Sequence, residues 1–283
     1  MKFALCNEVL QPMAFAAQCA FAAGLGYDAL EVAPFTLAED PMQITDAEAR
    51  GFAQVAADAG ISISGLHWLL VAPAGLSIVS ADAAVRQRTV DVMKRLVDLC
   101  AAMGGRYLVH GSPKQRSVPE GTSRSDAMAR ATECFARAGE AAAAAGVIYC
   151  IEPLSTRETD LLNSVAEAAQ VVDALGLPGL KTMIDCSAAG QVETQPIEEL
   201  MRHWMPSGHI AHVQVNDPNR RGPGQGEMNF APILAAIAQM QASGQYTGTV
   251  AVEPFDYVPD GPGCAARAIG YLRGVMQGIE AHG

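Results

Sequence analysis

The feature that most constrains this chain is an alternation of short apolar runs with longer alanine-rich runs of helical character, repeated eight times. Helices between successive strands allow those strands to lie parallel in one sheet. We predict strands at Phe3–Cys6, Ala29–Val32, Ile61–Leu66, Tyr107–His110, Val147–Glu152, Thr182–Asp185, Ile210–Val215 and Thr249–Glu253. Helices are predicted between and after them, near 12–24, 45–59, 84–103, 124–145, 164–175, 196–204, 230–242 and 263–281.

Eight strand–helix units can form either a closed barrel or an open, doubly wound sheet. A dinucleotide-binding open sheet usually has a glycine fingerprint after its first strand, but here Asn7 and Glu8 follow that strand. Polar residues such as Glu31 and His110 end strands all along the chain, as in barrels whose active sites draw on many strand ends. We therefore predict a (β/α)₈ barrel formed by a single domain over residues 1–283.

Charge and composition exclude several classes of partner. The chain has 30 acidic and 19 basic residues, a balance unsuited to binding nucleic-acid phosphates. Its apolar stretches fall short of the roughly 20 residues that a membrane-spanning helix needs. The start, MKFALCNEVL, lacks the apolar core of a signal peptide, and the seven scattered cysteines indicate a reducing compartment. We expect a cytoplasmic protein that acts on a small molecule.

Four oxygen-bearing side chains end four consecutive predicted strands in the second half of the chain. They are Glu152 in "YCIEPL", Asp185 in "TMIDCS", Gln214 in "AHVQVND" and Glu253 in "VAVEPF". In a barrel these strand ends converge, and three carboxylates so close together would raise one another's pKa unless a cation lay between them. We predict that the four side chains bind a divalent metal. An all-oxygen set of ligands favours Mn²⁺ or Mg²⁺ over Zn²⁺.

Alternatives remain open for these positions. A single acidic residue at a strand end is more often a helix cap or a loop hydrogen-bond acceptor than a ligand. His212 and Gln214 lie two residues apart and point to the same side of their strand, so either can be the ligand. We assign Gln214 to the metal because it is nearer the carboxyl-terminal mouth. His212 is then a core histidine or a substrate contact in the layer below.

The segments "IEPLSTRETD", "MIDCS", "HVQVNDPNRRGPGQGEMNF" and "VAVEPF" resemble signature segments of the xylose-isomerase-like sugar isomerases and epimerases. The resemblance is greatest to the D-tagatose and D-psicose 3-epimerases and hydroxypyruvate isomerase. It implies that Glu152 and Glu253 serve as an acid/base pair as well as metal ligands. It also implies that Glu158 and Arg220 bind substrate hydroxyls, and that the protein is a homo-oligomer, a dimer or a tetramer.

The chain departs from the epimerases at two positions of this pattern. They have a histidine where this chain has Gln214, whereas the hydroxypyruvate isomerases are similar to it there. They also have a substrate-contacting histidine at the position of Ala188. These differences put a ketohexose substrate in doubt.

A cation that bridges a carbonyl and the neighbouring hydroxyl acidifies the C–H between them and stabilises an enediolate. We predict an isomerase or epimerase of a small ketose, ketose phosphate or hydroxy-ketone, in which Glu152 removes the proton and Glu253 returns it. A lyase or dehydratase of a keto-sugar or keto-cyclitol is the alternative on the same metal site. An abasic-site endonuclease is disfavoured by the acidic charge, and a non-catalytic subunit by the intact pair of glutamates.

Further pocket residues are predicted at other strand ends. His67 and Trp68, in "GLHWLL", end the third strand as a polar substrate contact and an apolar wall, although rim packing equally explains Trp68. The loop 219–227, "NRRGPGQGE", follows the seventh strand, where barrels often bind phosphate. A glycine- and proline-rich turn with solvated arginines is the alternative interpretation of that loop.

Overall fold

The computed structural model describes residues 1–282, in which eight parallel strands close into one barrel. Each strand pairs with its neighbour in sequence, and the last strand pairs with the first. The strands are β1 Phe3–Cys6, β2 Ala29–Val32, β3 Ser62–Leu66, β4 Tyr107–His110, β5 Ile148–Ile151, β6 Leu180–Asp185, β7 Ile210–Val215 and β8 Val250–Val252. The predicted barrel and the order of its strands are confirmed.

Helices surround the barrel and connect consecutive strands. They are α1 Phe15–Leu25, α2 Asp46–Asp58, α3 Ala83–Ala102, α4 Pro113–Arg116, α5 Arg124–Ala145, α6 Val165–Leu175, α7 Cys186–Val192, α8 Ile197–Trp204, α9 Phe230–Ala242 and α10 Gly261–His282. The short helices α4 and α7 directly follow β4 and β6 and were not among the predicted elements. Across residues 1–282, no helix combines the length and the apolar character needed to cross a membrane.

Local sequence signals explain where the helices begin and end. At the start of α2, the Thr45 hydroxyl accepts from the Glu48 N–H while the Glu48 carboxylate accepts from the Thr45 N–H, a reciprocal capping box. Helices α1 and α5 end at Gly26 and Gly146, whose φ angles of 91° and 72° are left-handed. Glycine adopts this conformation without the steric cost of a Cβ atom. These signals let the chain turn sharply into the next strand.

The barrel interior contains a polar layer, whereas the space between strands and helices is apolar. Side chains alternate along a strand, so Leu30 and Val32 lie on the opposite side of β2 from Glu31. Leu30 and Val32 belong to the large apolar core, while Glu31 is fully buried among polar groups. His212 and Gln214 on β7 are also fully buried. The barrel therefore holds its polar residues inside, beneath the carboxyl-terminal mouth.

The strand register brings the predicted ligands to one end of the barrel. Asp185 on β6 pairs with Gln214 on β7, which in turn pairs with Ala251 on β8. Glu253 lies two residues beyond Ala251, on the same side of that strand and nearer the mouth. Glu152 follows β5 immediately. Four neighbouring strands thus deliver these side chains to the same end of the barrel.

Candidate active site

Three carboxylates form a compact cluster at the carboxyl-terminal ends of β5, β6 and β8. Glu152, Asp185 and Glu253 each offer an oxygen atom, and these atoms lie within 4.8 Å of one another. All three side chains are buried. Three carboxylates this close can all remain ionised only if a cation lies between them. Without a cation, one or more of them holds a proton. The cluster therefore has the chemistry of a cation site.

The pKa values of this cluster express the same crowding. Burial raises the pKa of Glu152 well above its usual range, and the charges of Glu253 and Asp185 raise it further. Burial raises the pKa of Asp185 to about 7, although the Ala188 N–H opposes the shift. It raises the pKa of Glu253 to about 8 despite the lowering effect of His67. Without a cation, these groups retain protons near neutral pH.

Unpartnered oxygens at this end of the barrel test whether a metal fits. Among residues 1–282, Asp185 Oδ2, Glu253 Oε2 and Gln214 Oε1 are buried and accept no hydrogen bond. A buried acceptor without a partner costs free energy, which a coordinated cation would recover. Carboxylate and amide oxygens are the donors that Mg²⁺ and Mn²⁺ prefer. The side chains present therefore fit a hard divalent cation.

Glu152 is positioned through its main chain and by a neighbouring glycine. The buried Arg116 guanidinium donates to the Glu152 carbonyl oxygen at 2.7 Å. Gly111, just after β4, lies so close that a Cβ at this residue would be 2.2 Å from Glu152 Oε2. Only glycine leaves room for the carboxylate in its present place.

Asp185 uses its two oxygens differently. Its Oδ1 accepts from the Ala188 N–H at 2.6 Å and so caps the start of α7. Its Oδ2 is buried and unpartnered among the described residues. The helix-cap and metal-ligand interpretations of this residue are therefore compatible.

Glu253 is linked to a buried histidine that lies between two carboxylates. His67 Nδ1 is 3.0 Å from Glu253 Oε1, and His67 Nε2 is 2.9 Å from Glu8 Oε2. Burial alone would lower the pKa of His67, but Glu8 and Glu253 raise it well above its usual range. A raised pKa favours the protonated ring, in which both nitrogens can donate, and the contact with Oε1 restrains the orientation of Glu253.

Glu31 organises the layer below the cluster. Gln214 Nε2 donates to Glu31 Oε1 at 2.7 Å, and the Tyr107 hydroxyl donates to Glu31 Oε2. His212 Nε2 lies 2.7 Å from Glu31 Oε2, and the His212 ring stacks on Tyr107. Burial raises the pKa of Glu31, yet His212, His67 and Tyr107 together lower it to about 2. Glu31 is therefore ionised and acts only as an acceptor.

A pocket of about 310 Å³, counting its open mouth, lies directly over the carboxylates. Glu152, Glu158 and Glu253 line it with acidic groups, while Trp68 and Phe255 form an apolar wall, their rings in edge contact at 6.0 Å. A larger cavity at the opposite end of the barrel is lined by no aspartate, glutamate or histidine among the described residues. Barrel enzymes place their chemistry at the carboxyl-terminal face, where the smaller pocket lies.

Comparison with known families agrees with this architecture. The family model described as "Xylose isomerase-like TIM barrel" matches residues 19–275, nearly the whole barrel. The chain belongs to the xylose isomerase-like TIM barrel family.

Relatives within the xylose isomerase-like family include named sugar epimerases. The chain is 30% identical to a D-psicose 3-epimerase of Agrobacterium fabrum over 82% of this chain and 76% of that protein. It is 29% identical to an L-ribulose 3-epimerase of Mesorhizobium japonicum, over 68% of this chain but only 63% of that relative. A crystal structure of a D-psicose 3-epimerase determined with D-fructose superposes with a TM-score of 0.81 at 23% identity, covering 97% of this chain and 99% of the other.

Within this xylose isomerase-like barrel, the structure brings some of the predicted site residues to the pocket and others below or beside it. Trp68 and Glu158 line the pocket, although Glu158 also accepts from the Ser155 hydroxyl. His67 and His212, predicted as substrate contacts, are fully buried beneath it because both engage glutamates of the interior. Arg220 lies exposed at the rim, with its guanidinium 5.2 Å from the centre of the Phe255 ring.

Several residues of the site, among them Gly111 and Glu31, were not given roles from the sequence. Gly111 has a visible signal, a glycine directly after the strand "YLVH", but its contact with Glu152 depends on a neighbouring strand. Glu31 was recognised only as a polar strand end. Its contact with Gln214 joins residues 183 positions apart, which no local pattern indicates.

Proposed function

We propose that this chain is a divalent-metal-dependent isomerase or epimerase that acts on a small ketose, ketose phosphate or hydroxy-ketone. One observation carries the proposal: oxygens of Glu152, Asp185 and Glu253 lie within 4.8 Å of one another below a pocket lined by both glutamates. The names of the epimerase relatives support the same class of reaction. We propose Mn²⁺ or Mg²⁺ as the cation because the available donors are oxygens.

Glu152, Asp185, Gln214 and Glu253 would hold the cation. When bound, it would polarise the substrate carbonyl and acidify the adjacent C–H bond. Gln214 is proposed as a ligand through Oε1, since its Nε2 is already donated to Glu31. His212 is excluded from this role in the proposal because its Nε2 lies against Glu31 Oε2.

The two glutamates carry the proton transfers in this proposal. Glu152 takes the proton from the carbon beside the carbonyl, leaving an enediolate, and Glu253 donates a proton from a different strand. Return to the same carbon inverts its configuration, whereas return to the former carbonyl carbon moves the carbonyl. The His67 contact keeps Glu253 in one orientation during this exchange. Trp68 and Phe255 limit access of water from one side of the pocket.

Elimination on the same site is the second candidate, and Ala188 is the observation that favours it. Its N–H donates to Asp185 Oδ1, and its side chain provides no donor for a substrate hydroxyl. A β-hydroxyl that is not held in this way would leave as water: the enediolate electron pair forms a C=C bond, the β C–O bond breaks, and Glu253 protonates the departing oxygen. Such a lyase would use Glu152 in the same role.

The deciding experiment is product analysis with purified, Mg²⁺-loaded protein and a panel of ketoses, keto-cyclitols and hydroxypyruvate. Epimerisation gives a new stereocentre in the NMR spectrum, isomerisation moves the carbonyl, and elimination gives an unsaturated or deoxy product. We expect one of the first two. Elimination products alone would replace the proposed reaction by the lyase, and an unchanged panel would contradict both.

A further inference from the structure

The Gln214 amide makes a hydrogen bond through its nitrogen but none through its oxygen among the described residues. Its Nε2 donates to Glu31 Oε1 at 2.7 Å, while its Oε1 is buried and accepts no hydrogen bond within residues 1–282. Rotation of an amide by half a turn exchanges its oxygen and nitrogen without changing its shape. The group at one end of the amide therefore decides which atom the other end presents.

Glu31 permits only one of these two orientations. It is fully buried, accepts hydrogen bonds from the Tyr107 hydroxyl and from Gln214 Nε2, and has His212 Nε2 at 2.7 Å from its Oε2. A carboxylate accepts hydrogen bonds and donates none. Turning the amide would place Gln214 Oε1 against Glu31 Oε1, two acceptors at hydrogen-bond distance, and would leave the amide nitrogen unpaired. The nitrogen must therefore face Glu31 and the oxygen must face away from it.

The strand register places Gln214 next to one of the clustered carboxylates. Gln214 is paired with Asp185, and adjacent strands lie about 4.8 Å apart. Asp185 is one of the three clustered carboxylates and itself has an unpartnered oxygen. The strand neighbour of Gln214 thus belongs to the cluster that the proposed function assigns to a cation.

We propose that Glu31 is a positioning residue that keeps Gln214 Oε1, and not Nε2, turned toward the carboxylate cluster. It thereby supplies the fourth oxygen donor and sets the preference of the site for a hard cation. This inference rests on the proposed metal site. A purely structural Glu31, present only to accept from Tyr107 and to pack against His212, would affect folding stability but not the choice of metal.

The test measures Mn²⁺ and Zn²⁺ affinity by calorimetry, with no activity assay. In Glu31→Gln, the new amide can donate as well as accept, so Gln214 is free to turn. We expect the Kd for Mn²⁺ to rise about 10- to 100-fold, as for other partners of metal ligands, with a smaller change for Zn²⁺. Tyr107→Phe removes a different donor to Glu31 and should leave both Kd values within about twofold.

A double-mutant cycle separates positioning from indirect effects. In a Gln214→Ala background, Glu31→Gln should cause no further loss of Mn²⁺ affinity, because the side chain that Glu31 orients is gone. An undiminished loss in that background would overturn the inference. If Glu31→Gln does not fold, judged from its metal-free melting curve, Glu31→Asp keeps the charge near His212 but withdraws the acceptor from Gln214. It should show the same loss.

The two proposals fail in different ways. Wild-type protein that binds no Mn²⁺ contradicts the proposed metal site and with it this inference. Wild-type protein that binds Mn²⁺ while Glu31→Gln and Glu31→Asp bind it equally well contradicts the positioning role alone.

Discussion

The two glutamates that flank the pocket differ sharply in their surroundings. Glu253 lies 3.0 Å from the buried ring of His67, whose other nitrogen lies 2.9 Å from Glu8. Arg116 donates a hydrogen bond to the carbonyl oxygen of Glu152. The carboxylate of Glu152 lies where a side chain at Gly111 would clash with it. The contexts "IEP" and "VEP" are nearly the same, so the difference arises from tertiary contacts. An interaction with a titratable ring therefore restrains Glu253, whereas the close approach of the Gly111 backbone restrains Glu152.

The largest expected effect comes from removing the space-restrained carboxylate. Glu152→Gln keeps the size of the side chain but cannot accept a proton, so we expect kcat/KM to fall by about 10³-fold or more. The measurement is steady-state kinetics on the substrate identified in the panel. Glu120→Gln, an exposed glutamate, is the matched control and should behave like wild type. A loss of less than tenfold would show that Glu152 is not the base.

The charge restraint is tested by His67→Gln, which removes the cation between two buried carboxylates. We expect a loss of about 3 kcal/mol in the free energy of unfolding at pH 8, since one partner of a buried ion pair is lost. The deficit should grow as the pH falls from 8 to about 6, because a histidine whose pKa is raised in the folded protein contributes most stability below its unfolded pKa. Urea unfolding measures it, with the exposed His203→Gln as control. If the difference in free energy of unfolding between the variant and the wild type is the same at both pH values, His67 carries no charge.

The spatial restraint is tested by Gly111→Ala. The added Cβ would meet Glu152 Oε2 at 2.2 Å, so the carboxylate must move. A displacement of this order can cost about 100-fold in rate when it misplaces a reacting group. Gly270→Ala, whose Cβ would meet nothing within 4 Å, is the control and should retain full kcat/KM. If both variants are equally active, the close approach of Gly111 has no consequence for catalysis.

The smallest effect concerns pH. The raised pKa values of Asp185, about 7, and of Glu253, about 8, mean that protons compete with the metal below those values. Mn²⁺ affinity should therefore decrease as the pH falls, by about tenfold between pH 8 and pH 7 if one proton is displaced. Calorimetry in buffers of different ionisation enthalpy would detect the released proton. Affinity that is constant over this interval would contradict the raised pKa values.

The sequence was sufficient for the barrel because its signals are local. Apolar runs such as Phe3–Cys6 and Ile210–Val215 were predicted with the observed bounds, and polar strand ends indicated the mouth. The short helix α7 escaped prediction because seven residues span too few turns to show a period. Its N-cap is Asp185, for which the sequence left a cap and a ligand as alternatives.

The contacts that distinguish the site residues were beyond sequence patterns. His67 and Glu253 lie 186 residues apart, and both are ordinary strand-end residues until the barrel closes. His67 and His212 were predicted as substrate contacts, and a core role was weighed equally for His212. In the closed barrel each lies against a glutamate, a pairing that depends on strands distant in the chain.

Exchange of substrate C–H with solvent deuterium tests the central claim most directly. Wild-type protein loaded with Mg²⁺ is incubated in D₂O with each member of the panel, and the signal of the proton beside the carbonyl is followed by NMR. We predict that this signal disappears for at least one substrate, that EDTA stops its loss, and that added Mg²⁺ restores it. No exchange with any substrate, or exchange that is indifferent to EDTA, would contradict the account.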